Sequence, residues 1–266
     1  MWHKEYDVDI KTMSNDELKQ VARDINKHLV VVFRNQSLTP QEELDICLKM
    51  GDVKDNRAQD TTAGDNLSII KGVMRVTGQL NENGQPGLFG HEVELDWHTH
   101  HPSKQERWPF VWLYAETGSA GSRTSWINQV SAYQDLPDDV KEQVNNIKVY
   151  CGHKNGKFSP SQIFNEHVGE TPMPIVQKNI EGLTGLYFPF LQIFDIAEGA
   201  TKEEWPALFE YLKNHVLQEK YIMHHDWQDG DLVISEQWLS IHKRWTFEKM
   251  DTRILHRIAL DYSKAY

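Results

Sequence analysis

The second half of the chain is a succession of short apolar segments separated by Gly and Pro turns, and this pattern most restricts the fold. The segments with strand character are residues 173–176, 186–190, 221–226, 231–235, 239–242 and 253–261. Many short strands with few helices form two packed layers or a closed barrel. The sequence therefore predicts an α+β, mainly β fold: a double-stranded β-helix, or cupin-like jelly roll, with flanking helices.

The first 55 residues predict a helix–strand–helix module packed on this roll. Ser14 with Glu17, and Thr39 with Glu42, have the spacing of capping boxes, and each precedes apolar residues at helical intervals. An apolar run at 29–33 lies between the two predicted helices. Since there is no internal repeat or low-complexity linker, we expect residues 1–266 to form a single domain.

Charge and composition exclude several classes of function. The formal net charge is -11, and no Lys or Arg cluster offsets it, which argues against binding to a nucleic acid backbone. No apolar run is long enough to span a membrane, and the N-terminus has no secretory h-region. Two cysteines, Cys47 and Cys151, do not form a disulfide framework. We therefore expect a cytoplasmic protein without nucleic acid or membrane partners; a homo-oligomer is compatible with the sequence.

The segment Asp96-Trp97-His98-Thr99-His100-His101 places two imidazoles at i and i+2 in a predicted strand. Side chains alternate between the faces of a strand, so His98 and His100 point the same way. Two imidazoles on one face are half of a metal site. In a chain with 13 His, a structural pair is an equally good explanation of this segment alone.

Residues beyond 240 supply the groups that this half-site lacks. Arg253 and Arg257 are four residues apart in a strand-like run, so they share a face. A buried guanidinium needs an anion, and its planar fork suits a carboxylate. On general grounds a structural ion pair is the commoner role of a buried Arg, and a structural role is also the commoner one for a His such as His242.

Several segments occur in a characteristic order along the chain. They are residues 28–36 (HLVVVFRNQ) with 38–43, Trp97-His98-Thr99-His100, Gly121-Ser122-Arg123-Thr124 and residues 227–233 (WQDGDLV), followed by His242 and, 15 residues later, Arg257. In sequence and spacing they resemble the taurine catabolism dioxygenase family of Fe(II)/2-oxoglutarate oxygenases. The resemblance spans most of the chain.

This resemblance implies a specific site. His98 and His242 would bind the metal, Thr124 and Arg257 would hold the distal carboxylate of 2-oxoglutarate, and Arg253 is a second candidate near the cosubstrate. The cofactors would be Fe(II) and 2-oxoglutarate. The expected reaction consumes molecular oxygen and hydroxylates a small, in one interpretation anionic, organic substrate, with release of succinate and CO2.

His100 departs from the family pattern, which has Asp at this position. Three interpretations follow. His100 ligates and forms a three-His site; it turns away and leaves a coordination position open; or the site has lost oxygenase chemistry or prefers another metal, since imidazole also suits Zn, Ni and Cu. His101 could replace His100 only if the strand were bulged.

Other residues have two interpretations each. Glu236 either orients a metal ligand or is solvated or ion-paired. Lys243 and Arg244 either attract an anionic substrate or form a solvated pair. An aromatic group either lines a substrate pocket or belongs to the core; its members are Trp108, Trp112, Phe188 and Phe190.

Two other functional classes remain open. The first is a non-catalytic protein that keeps the roll and binds metal or a 2-oxoacid without turnover, which the His100 change favours. The second is a three-His iron oxygenase that does not use 2-oxoglutarate, and Arg257 argues against it.

Overall fold

Two packed β-sheets form the centre of the fold, and helices cover their outer faces. The structure is a computed structural model that describes residues 2–54, 68–87, 89–90, 94–100, 102–103, 108–153, 156–159, 162–164 and 166–266. The helices are α1 (Asn15–His28), α2 (Pro40–Met50), α3 (Gln129–Gln134), α4 (Asp138–Val144) and α5 (Trp205–Val216), with 3-10 turns at Ile10–Thr12 and Glu219–Tyr221.

The strands of the described residues fall into two groups along the chain. Those of the first half are β1 (Lys4–Tyr6), β2 (Val30–Phe33), β3 (Ser68–Ile70), β4 (Val73–Val76), β5 (Leu95–His98), β6 (Phe110–Thr117), β7 (Arg123–Asn128), β8 (Lys148–His153) and β9 (Gly156–Ser159). Those of the second half are β10 (Gln162–Phe164), β11 (His167–Val168), β12 (Met173–Pro174), β13 (Val176–Lys178), β14 (Thr184–Leu186), β15 (Ile193–Glu198), β16 (Ile222–Asp226), β17 (Leu232–Glu236), β18 (Ser240–Arg244) and β19 (Ile254–Leu260).

The larger sheet has the strand order β1-β2-β17-β6-β19-β4-β3, and the smaller sheet has the order β16-β7-β18-β5. Alternate residues of β2 pack on opposite sides of the larger sheet. Val31 and Phe33 belong to the core beneath helices α1 and α2. Val30 and Val32 belong to a second core that includes Trp126 of the smaller sheet. The predicted double-sheet roll with flanking helices is confirmed.

A third core covers the outer face of the smaller sheet. Ile127 of β7 and Ile241 of β18 belong to this core, as do Leu208 and Leu212 of α5. The order of layers is therefore α1 and α2, larger sheet, smaller sheet, then α5 with the strands around β8.

The N-terminal module forms as the capping boxes predict. The Ser14 hydroxyl accepts the Glu17 N–H while the Glu17 carboxylate accepts the Ser14 N–H, and Thr39 and Glu42 repeat the arrangement. Because β1 and β2 are hydrogen-bonded to each other and β2 pairs with β17, the module extends the larger sheet. This continuity favours the single domain over 1–266, which stays a prediction.

Some local predictions need correction. The apolar composition of residues 67–77 alone predicts a single strand, but the structure has a hairpin of β3 and β4 there, turned at Gly72, whose φ of 90° suits glycine; Leu67 lies outside the described residues. Thr201 and Glu204 have the spacing of a third capping box, which predicts a helix from that point; their two bonds form, but α5 begins at Trp205. None of the helices in the described ranges is long and apolar enough to cross a membrane.

Candidate metal and anion site

One cavity gathers the six residues that the sequence analysis offers as metal or cosubstrate ligands. It lies between the two sheets, against β5 and β18 of the smaller sheet and β4, β6 and β19 of the larger one. Its lining residues are His98, His100, Thr124, His242, Arg244, Arg253 and Arg257, with Val76, Phe89, Leu95, Leu113 and Leu255 as the apolar part. This described lining includes cationic and imidazole groups and no carboxylate.

Strand pairing brings the three imidazoles together across 144 positions of sequence, from His98 to His242. His98, the last residue of β5, lies directly opposite His242 of β18, and their ring centroids are 4.2 Å apart. The ring of His100 is 4.9 Å from that of His242. One potential ligand nitrogen from each of the three residues lies within 4.8 Å of the others. His101 lies outside the described residues.

The protein fixes His98 in a metal-binding tautomer. Its Nδ1 lies 2.6 Å from the carbonyl oxygen of Asp96, and a carbonyl can only accept, so Nδ1 carries the proton. The lone pair is then on Nε2. Burial is the main cause that lowers the pKa of His98 to about 4, so the ring is neutral at physiological pH. Such an anchored imidazole is the usual form of a metal ligand.

His242 is also neutral, but unlike His98 it is not anchored by a hydrogen bond from Nδ1 to a described residue. It is 7% exposed, and burial lowers its pKa well below the usual value. The Trp126 ring stacks beside it at 6.5 Å, and within the described part of the chain its Nδ1 has no hydrogen-bond partner. The neutral state leaves a lone pair for a metal.

His100 contacts one of the cavity arginines. Its Nδ1 lies 3.1 Å from Nη2 of Arg257. A guanidinium has no acceptor, so Arg257 donates and the Nδ1 lone pair of His100 accepts. His100 therefore takes the opposite tautomer to His98.

The backbone between these two histidines is held by a side chain that sequence reasoning missed. Gln192 accepts the N–H of Thr99 at 2.8 Å and donates to the carbonyl oxygen of Thr99 at 3.1 Å. The Thr99 hydroxyl also donates to the carbonyl oxygen of Gln237 at 2.7 Å. Since Gln192 is 93 residues from Thr99 and belongs to no recognisable motif, no sequence signal predicts this clamp.

Arg253 is a buried cation for which the described part of the chain supplies no anionic partner. It is 1% exposed, and its Nε and Nη1 have no hydrogen-bond partner among the described residues. Its guanidinium lies 5.7 Å from the centre of the Phe247 ring. Burial, with a smaller effect of Arg244, lowers its pKa to about 9, so it stays charged at neutral pH. Arg257 is likewise buried, which lowers its pKa to about 10.

Thr124 presents its hydroxyl to the same cavity. The indole N–H of Trp227 donates to Thr124 Oγ1 at 2.9 Å. With that lone pair engaged, the hydroxyl hydrogen is available to donate to an anion. Trp227 in turn packs edge-on against His225, which is bonded to Asp231 at 3.0 Å. The sequence identified Trp227 only as part of the segment 227–233 and assigned it no role, and it did not identify His225 as a supporting residue.

The structure decides several of the open alternatives. Arg244 is 4% exposed and lines the cavity, so the solvated pair is wrong for it, whereas Lys243 pairs with Glu94 at 3.0 Å. Glu236 is 1% exposed, so it is not solvated, and its carboxylate accepts the N–H groups of Trp238 and Leu239 and so shapes the turn before β18.

Three of the four candidate pocket aromatics belong to the cores. Trp112 lies beneath α1 and α2, and Phe188 and Phe190 lie beside α5. None of the three is in the cavity lining that the structure describes, and neither is Trp108.

Known proteins match this chain over nearly its whole length. Residues 1–259 match the family model described as "Taurine catabolism dioxygenase TauD, TfdA family". An alpha-ketoglutarate-dependent 2,4-dichlorophenoxyacetate dioxygenase of Burkholderia sp. (strain RASC) is 24% identical over 256 residues, covering 92% of this chain and 86% of the relative. A pentalenolactone F synthase of Streptomyces avermitilis is 22% identical, covering 93% and 86%.

Solved structures share the fold. A taurine dioxygenase from Burkholderia xenovorans superimposes with a TM-score of 0.71 at 19% identity, covering 96% of this chain and 84% of that one. AAD-2, solved with Mn(II) and N-oxalylglycine, superimposes with a TM-score of 0.76 at 18% identity, covering 98% and 94%.

Proposed function

The chain belongs to the TauD, TfdA family of taurine catabolism dioxygenases, an oxidoreductase family that uses Fe(II) and 2-oxoglutarate, and from this premise we propose that it oxidises a small organic molecule with both cofactors. The products would be a hydroxylated substrate, succinate and CO2. The other proposed reactant is molecular oxygen.

This proposal is based on one cavity that contains three imidazoles and a buried Arg253 whose Nε and Nη1 have no hydrogen-bond partner among the described residues. A buried guanidinium without an anion is unfavourable unless a ligand provides one. 2-Oxoglutarate is a dianion that offers a metal chelate at one end and a carboxylate at the other. The cavity supplies a complement to each end.

The donor set fits a divalent metal. His98 and His242 are neutral and present lone pairs, and His100 is the third donor within reach. We propose that these three residues hold the ion. When bound, Fe(II) with 2-oxoglutarate supplies the activation of oxygen for attack on a substrate C–H bond.

Arg253 and Thr124 are the proposed partners of the distal carboxylate. The sequence pattern favoured Arg257 for this role, with Arg253 second. Arg257, however, donates to His100, and its charge helps to lower the pKa of His98 and of His242, whereas the guanidinium of Arg253 lies over the Phe247 ring. A carboxylate remote from the metal chelate is better matched to Arg253, and Arg257 remains the alternative.

The other residues that line the cavity indicate the chemical class of the substrate. Apolar side chains, including Leu95, Leu113 and Leu255, form one part of the cavity, and Arg244 adds a buried cation. This combination supports a small molecule with an apolar body and an anionic group.

A non-catalytic binding protein is the second candidate, and it rests on one observation. The donor set contains three nitrogens and, among the described residues, no carboxylate. A three-His oxygenase without 2-oxoglutarate fits less well, because it leaves Arg253 without a ligand.

Succinate formation separates these functions. Fe(II)-loaded protein is mixed with 2-oxoglutarate under oxygen, and succinate is quantified against the His98→Ala variant. The proposed function predicts succinate above that control. Binding of 2-oxoglutarate without such an excess would establish the non-catalytic alternative.

A further inference from the structure

The hydrogen bond between Arg257 and His100 is incompatible with metal binding through either ring nitrogen of His100. In the observed contact, Nδ1 accepts from Arg257 at 3.1 Å, so the proton of the neutral ring is on Nε2. A protonated Nε2 has no lone pair for a metal, and the lone pair of Nδ1 is already engaged.

Both routes to ligation break this bond. If Nδ1 binds the metal, its lone pair is lost to Arg257. If Nε2 binds the metal, the proton moves to Nδ1, and two donors, Nδ1–H and the guanidinium N–H, then face each other. His100 cannot accept from Arg257 and ligate at once.

We propose that Arg257 and the metal compete for His100, so that His100 becomes a ligand only when Arg257 turns away. Arg257 is thus a positioning residue that acts through His100. His98 has no such competitor, because its Nδ1 is fixed on the Asp96 carbonyl and its Nε2 is available. Before Arg257 moves, the metal is held by His98 and His242.

An anion gives Arg257 an alternative partner. Arg257 is a buried cation whose Nε has no hydrogen-bond partner among the described residues, so a carboxylate or sulfonate entering the cavity satisfies it. The anion then frees His100, and by linkage the metal also raises the affinity for that anion. This coupling rests on the proposed function, since it takes the site to be a metal centre.

A cycle of variants tests the competition without any turnover. Mn(II) binding to the apoprotein is measured by calorimetry, without 2-oxoglutarate, for the wild type, Arg257→Ala and Arg253→Ala. Both variants remove one buried cation from the cavity, but only Arg257 contacts His100. Arg253→Ala therefore controls for charge.

We expect Arg257→Ala to raise Mn(II) affinity roughly tenfold more than Arg253→Ala, which corresponds to one hydrogen bond to a charged group. In a His100→Phe background the two arginine variants should have equal effects. Thermal unfolding of each apoprotein verifies that it is folded.

Two results would overturn the proposal: an equal gain from both arginine variants in the wild-type background, or the same excess gain from Arg257→Ala when His100 is Phe. Failure of the folded wild type and every variant to bind Mn(II) is a different outcome. It would reject the metal site itself, and the proposed function with it.

Discussion

The side-chain amide of Gln192 bonds to both the N–H and the carbonyl oxygen of Thr99, as a neighbouring strand would. Strand β5 ends at His98, so this amide continues the hydrogen bonding past the strand end and fixes the backbone between His98 and His100. The metal motif thus depends on a residue outside any motif.

Gln192→Glu should weaken Mn(II) binding by about 10- to 100-fold, the range for partners that orient metal ligands. Glu keeps the shape and an acceptor for the Thr99 N–H, but an ionised carboxylate cannot donate to the Thr99 carbonyl. Calorimetry measures the affinity, and Gln143→Glu, at an exposed position of α4, is the matched control. Equal affinities for the two variants would contradict this role.

The indole of Trp227 should influence 2-oxoglutarate binding through Thr124. Trp227→Phe removes the donor to Thr124 Oγ1 and leaves the hydroxyl free to turn, so we expect a roughly five- to tenfold loss of 2-oxoglutarate affinity. Fluorescence titration of the Mn(II)-loaded protein measures it.

A double-variant cycle separates this effect from simple loss of packing. If Trp227 acts through Thr124, then Trp227→Phe should add little in a Thr124→Val background. Additive losses would show that the indole acts by another route.

The buried pair of Glu43 and His256 should stabilise helix α2 on the larger sheet. The two side chains are bonded at 2.5 Å, are 0% and 1% exposed, and Glu43 also accepts from Trp112 at 2.7 Å. Glu43→Leu should lower the free energy of unfolding by about 3 kcal/mol, because it leaves His256 without this partner.

Adding His256→Leu to Glu43→Leu should restore part of that loss, since no imidazole Nδ1 is then buried without a partner, and the second partner of His256, the half-exposed Glu116 at 3.2 Å, can be solvated. Urea denaturation of the two variants measures the difference. A double variant less stable than Glu43→Leu alone would argue against this explanation.

Asp231 should contribute stability that disappears in acid. Burial alone would raise its pKa, but hydrogen bonds from His225 and the Gln228 N–H, with the charge of Arg34, lower it overall. A carboxylate with a lowered pKa stabilises the fold above its ordinary value of about 4, and this contribution is lost as pH falls through the folded-state pKa.

We therefore expect Asp231→Asn to cost about 1–3 kcal/mol in the free energy of unfolding at pH 7 and much less at pH 3. Denaturant unfolding at the two pH values measures the cost. A cost that is the same at both pH values would show that the Asp231 charge is not responsible.

The sequence was sufficient for the parts of this molecule that have local or periodic signals. Capping at Ser14 and Thr39 predicted two helices, and the i, i+2 spacing predicted that His98 and His100 share a cavity. The expectation that His242 joins His98 in one metal site followed from the family resemblance and not from periodicity.

What the sequence could not predict depends on tertiary contacts. Gln192 reaches Thr99, and Trp227 reaches Thr124 across 103 residues, only because separate strands converge. Burial of Arg244 was missed because Lys243 and Arg244 look alike in sequence, whereas alternation on β18 sends them to opposite faces of the strand.

The central claim is that 2-oxoglutarate binds on a metal at the imidazole cluster with its distal carboxylate on Arg253. Anaerobic titration of the Fe(II)-loaded protein with 2-oxoglutarate, followed by its metal-to-ligand charge-transfer absorption, tests this directly. We predict the band in the wild type, and half-saturation at a 2-oxoglutarate concentration roughly tenfold or more higher in Arg253→Met, with a smaller shift in Arg257→Met. Absence of the band in the folded wild type, or a larger shift in Arg257→Met than in Arg253→Met, would contradict the claim.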